Sequence, residues 1–160
     1  MAKSILDSCD PSKRRTLTQG TVLMHQDTRS GYIYVLEQGT IEVLRGDTVV
    51  ASVSEPGAIF GEMSLLLDIP HTATVKAKTE CVVFAYEDAA AFLKADPETA
   101  FVIARLLAQR LNLATTYLVD LKRQYAGQGN HLGMVSDVLA SLVNHQQPAF
   151  DPGSDRQPDL

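Results

Sequence analysis

The chain has no tryptophan, only two cysteines and an aromatic content of 6% over 160 residues. The cysteines, Cys9 and Cys81, stand far apart and match no metal-ligand spacing. That excludes a disulfide scaffold, a zinc ribbon and a four-cysteine iron–sulfur site, so no metal is expected. A reduced, cytoplasmic setting is the expectation. No apolar run reaches the length of a membrane span, and Met1–Asp10 carries no hydrophobic stretch of signal-peptide length. Positive charge is also scarce, with 14 Lys and Arg against 19 Asp and Glu and a formal net charge of -5. This balance argues against unspecific binding to nucleic acid or anionic membranes. Lys13-Arg14-Arg15 and Lys122-Arg123 are short basic runs that read as solvated faces. What is present is ordinary for a folded protein: 45% hydrophobic and 21% charged residues, enough for one domain with a sizeable core.

The pattern changes character near Glu87. Between Arg14 and Tyr86, β-rich runs lie at Thr21–His25, Gly31–Leu36, Thr40–Leu44, Thr48–Val53, Thr72–Ala77 and Cys81–Ala85. Several alternate apolar with polar residues, as half-buried antiparallel strands do. Gly20, Gly31, Gly39, Gly46-Asp47 and Pro56-Gly57 punctuate them, and Arg45-Gly46-Asp47 predicts a tight hairpin. Regular short strands with glycine turns predict a small barrel or roll over about 14–86.

Beyond it the period is helical. Glu87–Lys94 predicts a short helix, and Asp96 followed by Pro97 supplies an N-cap and a first-turn proline for a long one over about 97–126. Ala104, Leu107, Leu111, Ala114, Leu118, Leu121 and Tyr125 recur with alternating spacings of three and four, the seam of a two-helix coiled coil. The expectation is a homodimer; the alternative is that the stripe belongs to an intramolecular core. Val102, Leu106 and Leu113 form a second apolar face expected to rest on the barrel. Gly127-Gln128-Gly129 breaks the helix, and within 127–145 Asn130 caps a short last helix with Leu132, Val135, Leu139 and Leu142 on one face. Over 146–160 the polar, proline-marked composition predicts a disordered tail.

The chemistry concentrates between Pro56 and Val75. A glycine turn leads to a short helix over about Glu62–Leu67, then a loop and a returning strand. Gly61 lets backbone approach a ligand closely, and free N–H groups at a helix start favour an anion. Glu62 can accept hydrogen bonds from hydroxyls such as those of a ribose, or simply complement the helix dipole.

Phe60-Gly61-Glu62-Met63-Ser64-Leu65-Leu66, followed by Pro70-His71-Thr72-Ala73, resembles the phosphate-binding cassette of the cyclic nucleotide-binding domain family. The resemblance extends over about Thr16 to Lys122. It implies an α+β fold: an antiparallel β-roll (a double-stranded β-helix, jelly-roll-like) with a short cassette helix and a long C-terminal dimerisation helix, together spanning 1–126. It also implies a cyclic nucleotide ligand, cyclic AMP foremost and cyclic GMP next. Gly61 and the backbone of Glu62 and Met63 would face the cyclic phosphate, flanked by Phe60 and Ser64. Glu62 would take the ribose 2′-hydroxyl, and Thr72 with the Ala73 amide would reach the phosphate. Thr115 and Thr116 stand where the family caps the purine, though they also read as two polar residues beside a dimer seam.

One departure stands out. Where the family has an arginine paired with the exocyclic phosphate oxygens, this chain has His71. Imidazole lacks the guanidinium fork and is mostly neutral at pH 7. His71 is either a weaker, pH-sensitive phosphate ligand or the mark of a degenerate pocket. The retention of Gly61, Glu62, Thr72 and Ala73 favours binding.

Other classes fit less well. A metal-dependent barrel enzyme needs clustered ligands, and His25, His71, His131 and His145 are not spaced as pairs. No nucleophile-elbow sequence suggests a hydrolase. A truncated transcriptional regulator of the cyclic AMP receptor type remains an alternative, but 127–160 offers room for one helix, short of a winged helix-turn-helix. The expectation is therefore a non-enzymatic, stand-alone cyclic nucleotide sensor without DNA or membrane as partner, signalling to an unknown protein effector. The last helix would be its output element or a lid on its own domain. The rival is a nucleotide-independent dimeric interaction module.

Overall fold

The structure, a computed structural model, describes residues 4–125 and 131–144. Contact density divides the chain into two compact units, Met1–Ile103 and Ala104–Leu160. In the first, the strands are β1 (Arg14–Leu17), β2 (Val22–Met24), β3 (Ile33–Gln38), β4 (Ile41–Arg45), β5 (Thr48–Val53), β6 (Ile59–Phe60), β7 (Thr74–Ala77) and β8 (Cys81–Tyr86). They form two four-stranded antiparallel sheets, ordered β1-β8-β3-β6 and β2-β7-β4-β5.

Six of these strands contribute to one apolar cluster, made of Met24, Leu36, Ile41, Phe60, Val75, Ala77, Cys81 and Val83. The alternation read from the sequence is cleanest in β7, where Val75 and Ala77 are buried and Thr74 and Lys76 half-buried. It fails in β3, because both faces of that strand are covered. Leu36 faces the cluster, while Ile33 and Val35 are also buried. A 3-10 turn, Ile5–Ser8, lies against β3 with Ile5 buried, and Gly31 O accepts Ala89 N at the start of a short helix. A strand covered on both faces reads as a continuous apolar run.

The hairpin expected at Arg45-Gly46-Asp47 forms with Arg45 opposite Thr48. Helix α1 (Glu62–Leu67) is the expected cassette helix. Helix α2 (Ala89–Lys94) starts later than the sequence suggested, because Asp88 caps it by accepting the Ala91 N–H. The short strands β1 and β6 were not anticipated, and β7 begins at Thr74 rather than Thr72, since Thr72 and Ala73 lie in a bend.

Helix α3 (Pro97–Gln124) spans 28 residues, about 42 Å at 1.5 Å per residue. Asp96 caps it as expected, its carboxylate accepting the Glu98 N–H at 3.1 Å and the Thr99 hydroxyl at 3.3 Å. Along the heptad stripe, Leu107, Leu118 and Leu121 are half-buried, while Ala104, Leu111, Ala114 and Tyr125 are exposed. On the second face Val102 and Leu106 are half-buried, but Leu113 is 70% exposed. Helix α4 (His131–Asn144) matches the expected last helix, with Val135 and Leu139 half-buried. The Gly127-Gln128-Gly129 break, the Asn130 cap and the 146–160 tail lie outside the described residues. Among the described residues no helix is long and apolar enough to cross a membrane.

Candidate functional site

The site grows from the junction of β6 and α1. Phe60 and Ile59 are buried and anchor the end of the sheet. Gly61 then takes φ +100° and ψ -5°, the left-handed region in which a side chain is strained. A Cβ built there would lie 2.5 Å from Tyr32 O and 3.2 Å from Met24 Cε. The residue is thus required twice over, by backbone conformation and by space. Glu62 follows in the first turn and is only 4% exposed. The helix ends at Asp68, itself left-handed at φ 52° and ψ 51°, a conformation that the short polar side chain of aspartate tolerates. The Ser64 hydroxyl donates to Ile69 O at 2.6 Å and fastens the loop that leaves the helix.

That loop is tied to the β2–β3 connection. His71 N donates to Thr28 O, and Asp27 N donates to His71 O, both at 2.8 Å. The His71 ring is 3% exposed, and its Nε2 is hydrogen-bonded to Ser30 Oγ at 2.7 Å. Burial pushes the imidazole below its ordinary pKa, so the neutral ring is favoured near pH 7. Arg29, on the same connection, places Nη1 2.8 Å from Asp68 Oδ1 and Nη2 3.2 Å from Asp68 O.

These elements enclose a cavity of about 200 Å³ whose walls include Arg29, Tyr32, Gly61, Ser64, Asp68 and His71. Three residues expected from the sequence, Gly61, Ser64 and His71, come together on it. Others lie elsewhere: Phe60 and Glu62 are buried, Met63 is exposed, and Thr72 and Ala73 are half-buried in the bend after His71. Thr115 and Thr116 belong to the second unit; the Thr115 hydroxyl donates to Leu111 O at 2.8 Å and Thr116 is exposed. Arg29, Ser30, Tyr32 and Asp68 were not anticipated. The available signal was the glycine turn at Gly31 carrying a basic residue beside it. Among the described residues no group of three or more His, Cys, Asp or Glu could hold a metal ion.

The cyclic nucleotide-binding domain family matches residues 14–105, and the chain belongs to it. More particularly, the chain is similar to a cAMP-dependent protein kinase regulatory subunit of Eremothecium gossypii, 29% identical over 75 residues, which are 47% of this chain and 16% of the relative. An uncharacterized ABC transporter ATP-binding protein of Mycobacterium tuberculosis is 32% identical over 80 residues, 48% of this chain and 24% of the relative. The chain thus spans less than a quarter of the length of these relatives. Among solved structures, the catabolite activator protein of Thermus thermophilus is 26% identical with a TM-score of 0.56, over 86% of this chain and 80% of that one. A PKAR CBD2 structure with Sp-2Cl-cAMPS bound shares the fold, with a TM-score of 0.53 and 22% identity over 73% and 82% of the two chains.

Proposed function

We propose that this chain binds a cyclic nucleotide, cyclic AMP ahead of cyclic GMP, and passes the binding event to a protein effector without catalysis, in the cytoplasm. The observation that carries the reading is a cavity within the family-matched span that has Gly61 and His71 on its wall. The wall can take an anion: a glycine with no room for a Cβ permits close backbone approach, and an arginine, a histidine and a serine stand around it, with the one carboxylate of the wall, Asp68, paired to the arginine. In this reading the backbone of Gly61, Glu62 and Met63 faces the cyclic phosphate. Thr72 and the Ala73 amide support it, and Glu62 takes the ribose 2′-hydroxyl. Relatives named for cyclic AMP dependence support cyclic AMP as the first choice.

Calorimetric titration with cyclic AMP and cyclic GMP at pH 6 and pH 8 tests the reading. Saturable binding of cyclic AMP is expected, tighter at pH 6. Silence with both nucleotides at both pH values would leave the nucleotide-independent interaction module standing.

The same proposal includes a homodimer through the Ala104–Tyr125 stripe. It is supported by the heptad spacing and by the exposure of Leu111, 45% in the single chain. Sedimentation equilibrium should give a dimer, and Leu111→Glu, which buries a charge in the seam, should give a monomer with unchanged helix content. A monomeric parent protein would defeat the dimer. Signal output then runs through the last helix, α4.

A further inference from the structure

The family's cation is absent at position 71, yet the cavity is not without one. Arg29 lies on its wall together with Gly61 and His71, although it comes from the β2–β3 connection rather than from the cassette. Its guanidinium carries five N–H groups, and the two contacts to Asp68 engage one on Nη1 and one on Nη2. The remaining donors stay available to an acceptor inside the cavity. The Asp68 carboxylate and carbonyl, at the left-handed end of α1, take these two contacts and so orient the fork, with the Asp68 side chain itself 94% exposed. The pair is solvent-reachable, with the Arg29 side chain 58% exposed, which makes the contact exchangeable rather than locked. His71, held in its neutral form by burial and bonded to Ser30, contributes shape and a hydrogen bond rather than charge near pH 7.

We infer that Arg29, aimed by Asp68, is the residue that supplies positive charge to the cyclic phosphodiester, in place of the arginine missing at His71. The inference rests on the nucleotide-binding reading and deepens it. The ligand class is a cyclic nucleotide, recognised through its exocyclic phosphate oxygens. A guanidinium meets such oxygens with two parallel hydrogen bonds, which neither Ser64 nor His71 can offer.

The test compares the parent protein with Arg29→Gln and Arg45→Gln by calorimetry with cyclic AMP at low and physiological salt. Arg45 carries the same charge at the exposed β4–β5 hairpin, so its variant controls for net charge alone. Arg29→Gln should weaken binding about 10- to 100-fold and flatten its salt dependence, since a charge-assisted contact to phosphate is lost. Arg45→Gln should bind within about twofold of the parent. Unfolding curves of the free variants check that both remain folded, as expected for substitutions at exposed side chains. If Arg29→Gln binds as Arg45→Gln does, with the same salt slope, the assignment of Arg29 is overturned while the sensor reading survives. Silence of the parent protein would instead defeat the sensor reading and this assignment with it.

Discussion

Replacing Gly61 by alanine is expected to lower the free energy of unfolding by about 2–5 kcal/mol and to abolish nucleotide binding. Two contributions add. A side chain in the left-handed region costs about 1–2 kcal/mol. The new Cβ would also stand 2.5 Å from Tyr32 O, a backbone atom that moves only with β3. Overpacking of this kind costs about 1–3 kcal/mol. Gly46→Ala provides the control, because Gly46 also has positive φ, at 58°, but nothing lies within 4 Å of its Cβ position. It should lose only the conformational part, about 1–2 kcal/mol. Denaturant midpoints of the three proteins, at constant m, measure both effects. Equal losses in the two variants would refute the steric account of Gly61. Binding should fail in Gly61→Ala alone, because Tyr32 and Gly61 both line the cavity.

The second large effect is expected at His71. Arginine there should strengthen cyclic nucleotide binding about 10-fold, near the lower end for a charge-assisted hydrogen bond because Arg29 already neutralises part of the phosphate charge. The free variant should be less stable by about 1–3 kcal/mol, since a permanent charge replaces a ring that is 3% exposed. The pH dependence distinguishes the two states of the parent protein. In the free protein the His71 pKa lies below 6.5, because burial disfavours the cation. The unfolded chain therefore takes up a proton first as pH falls. The contribution of His71 to stability is fully present above about pH 6.5 and is lost as pH falls towards the depressed folded value. Bound phosphate favours the cation and raises that pKa, so affinity moves the other way and increases as pH falls through the bound-state value. Acid thus weakens the free fold and tightens the complex. His71→Arg should remove the pH dependence of affinity between pH 6 and 8. An affinity that stays pH-dependent and unimproved in this variant would show that His71 does not face the phosphate.

Much of the roll was legible because its signals are local. Gly46 between Leu44 and Thr48 marks a two-residue hairpin, Asp96-Pro97 marks a helix start, and Gly61-Glu62 marks the turn into α1. Each depends on residues within a few positions of one another. β6 was missed because two residues make no period; Ile59 and Phe60 are strand only through their pairing with Val35 and Tyr34. The burial of β3 on both faces was hidden for a similar reason, since the Ile5–Ser8 turn that packs against it is distant in sequence. On the long helix, the spacing of Leu107, Leu111 and Leu118 was plain, but spacing alone does not say what covers an apolar face.

The scarcity of cysteine and of positive charge, the glycine-punctuated strands and the cassette around Gly61 determined the class of this protein from sequence alone. Conformational demands and composition are properties of short stretches of chain. Tertiary structure decided how the missing arginine matters. It buried His71 against Ser30, which lowers its pKa. It also brought Arg29 from one connection against Asp68 at the end of α1, onto the same cavity wall as Gly61. No local rule links positions 29, 61, 68 and 71. Antiparallel pairing folds the connections together, and the charge balance of the site exists only once that pairing has formed.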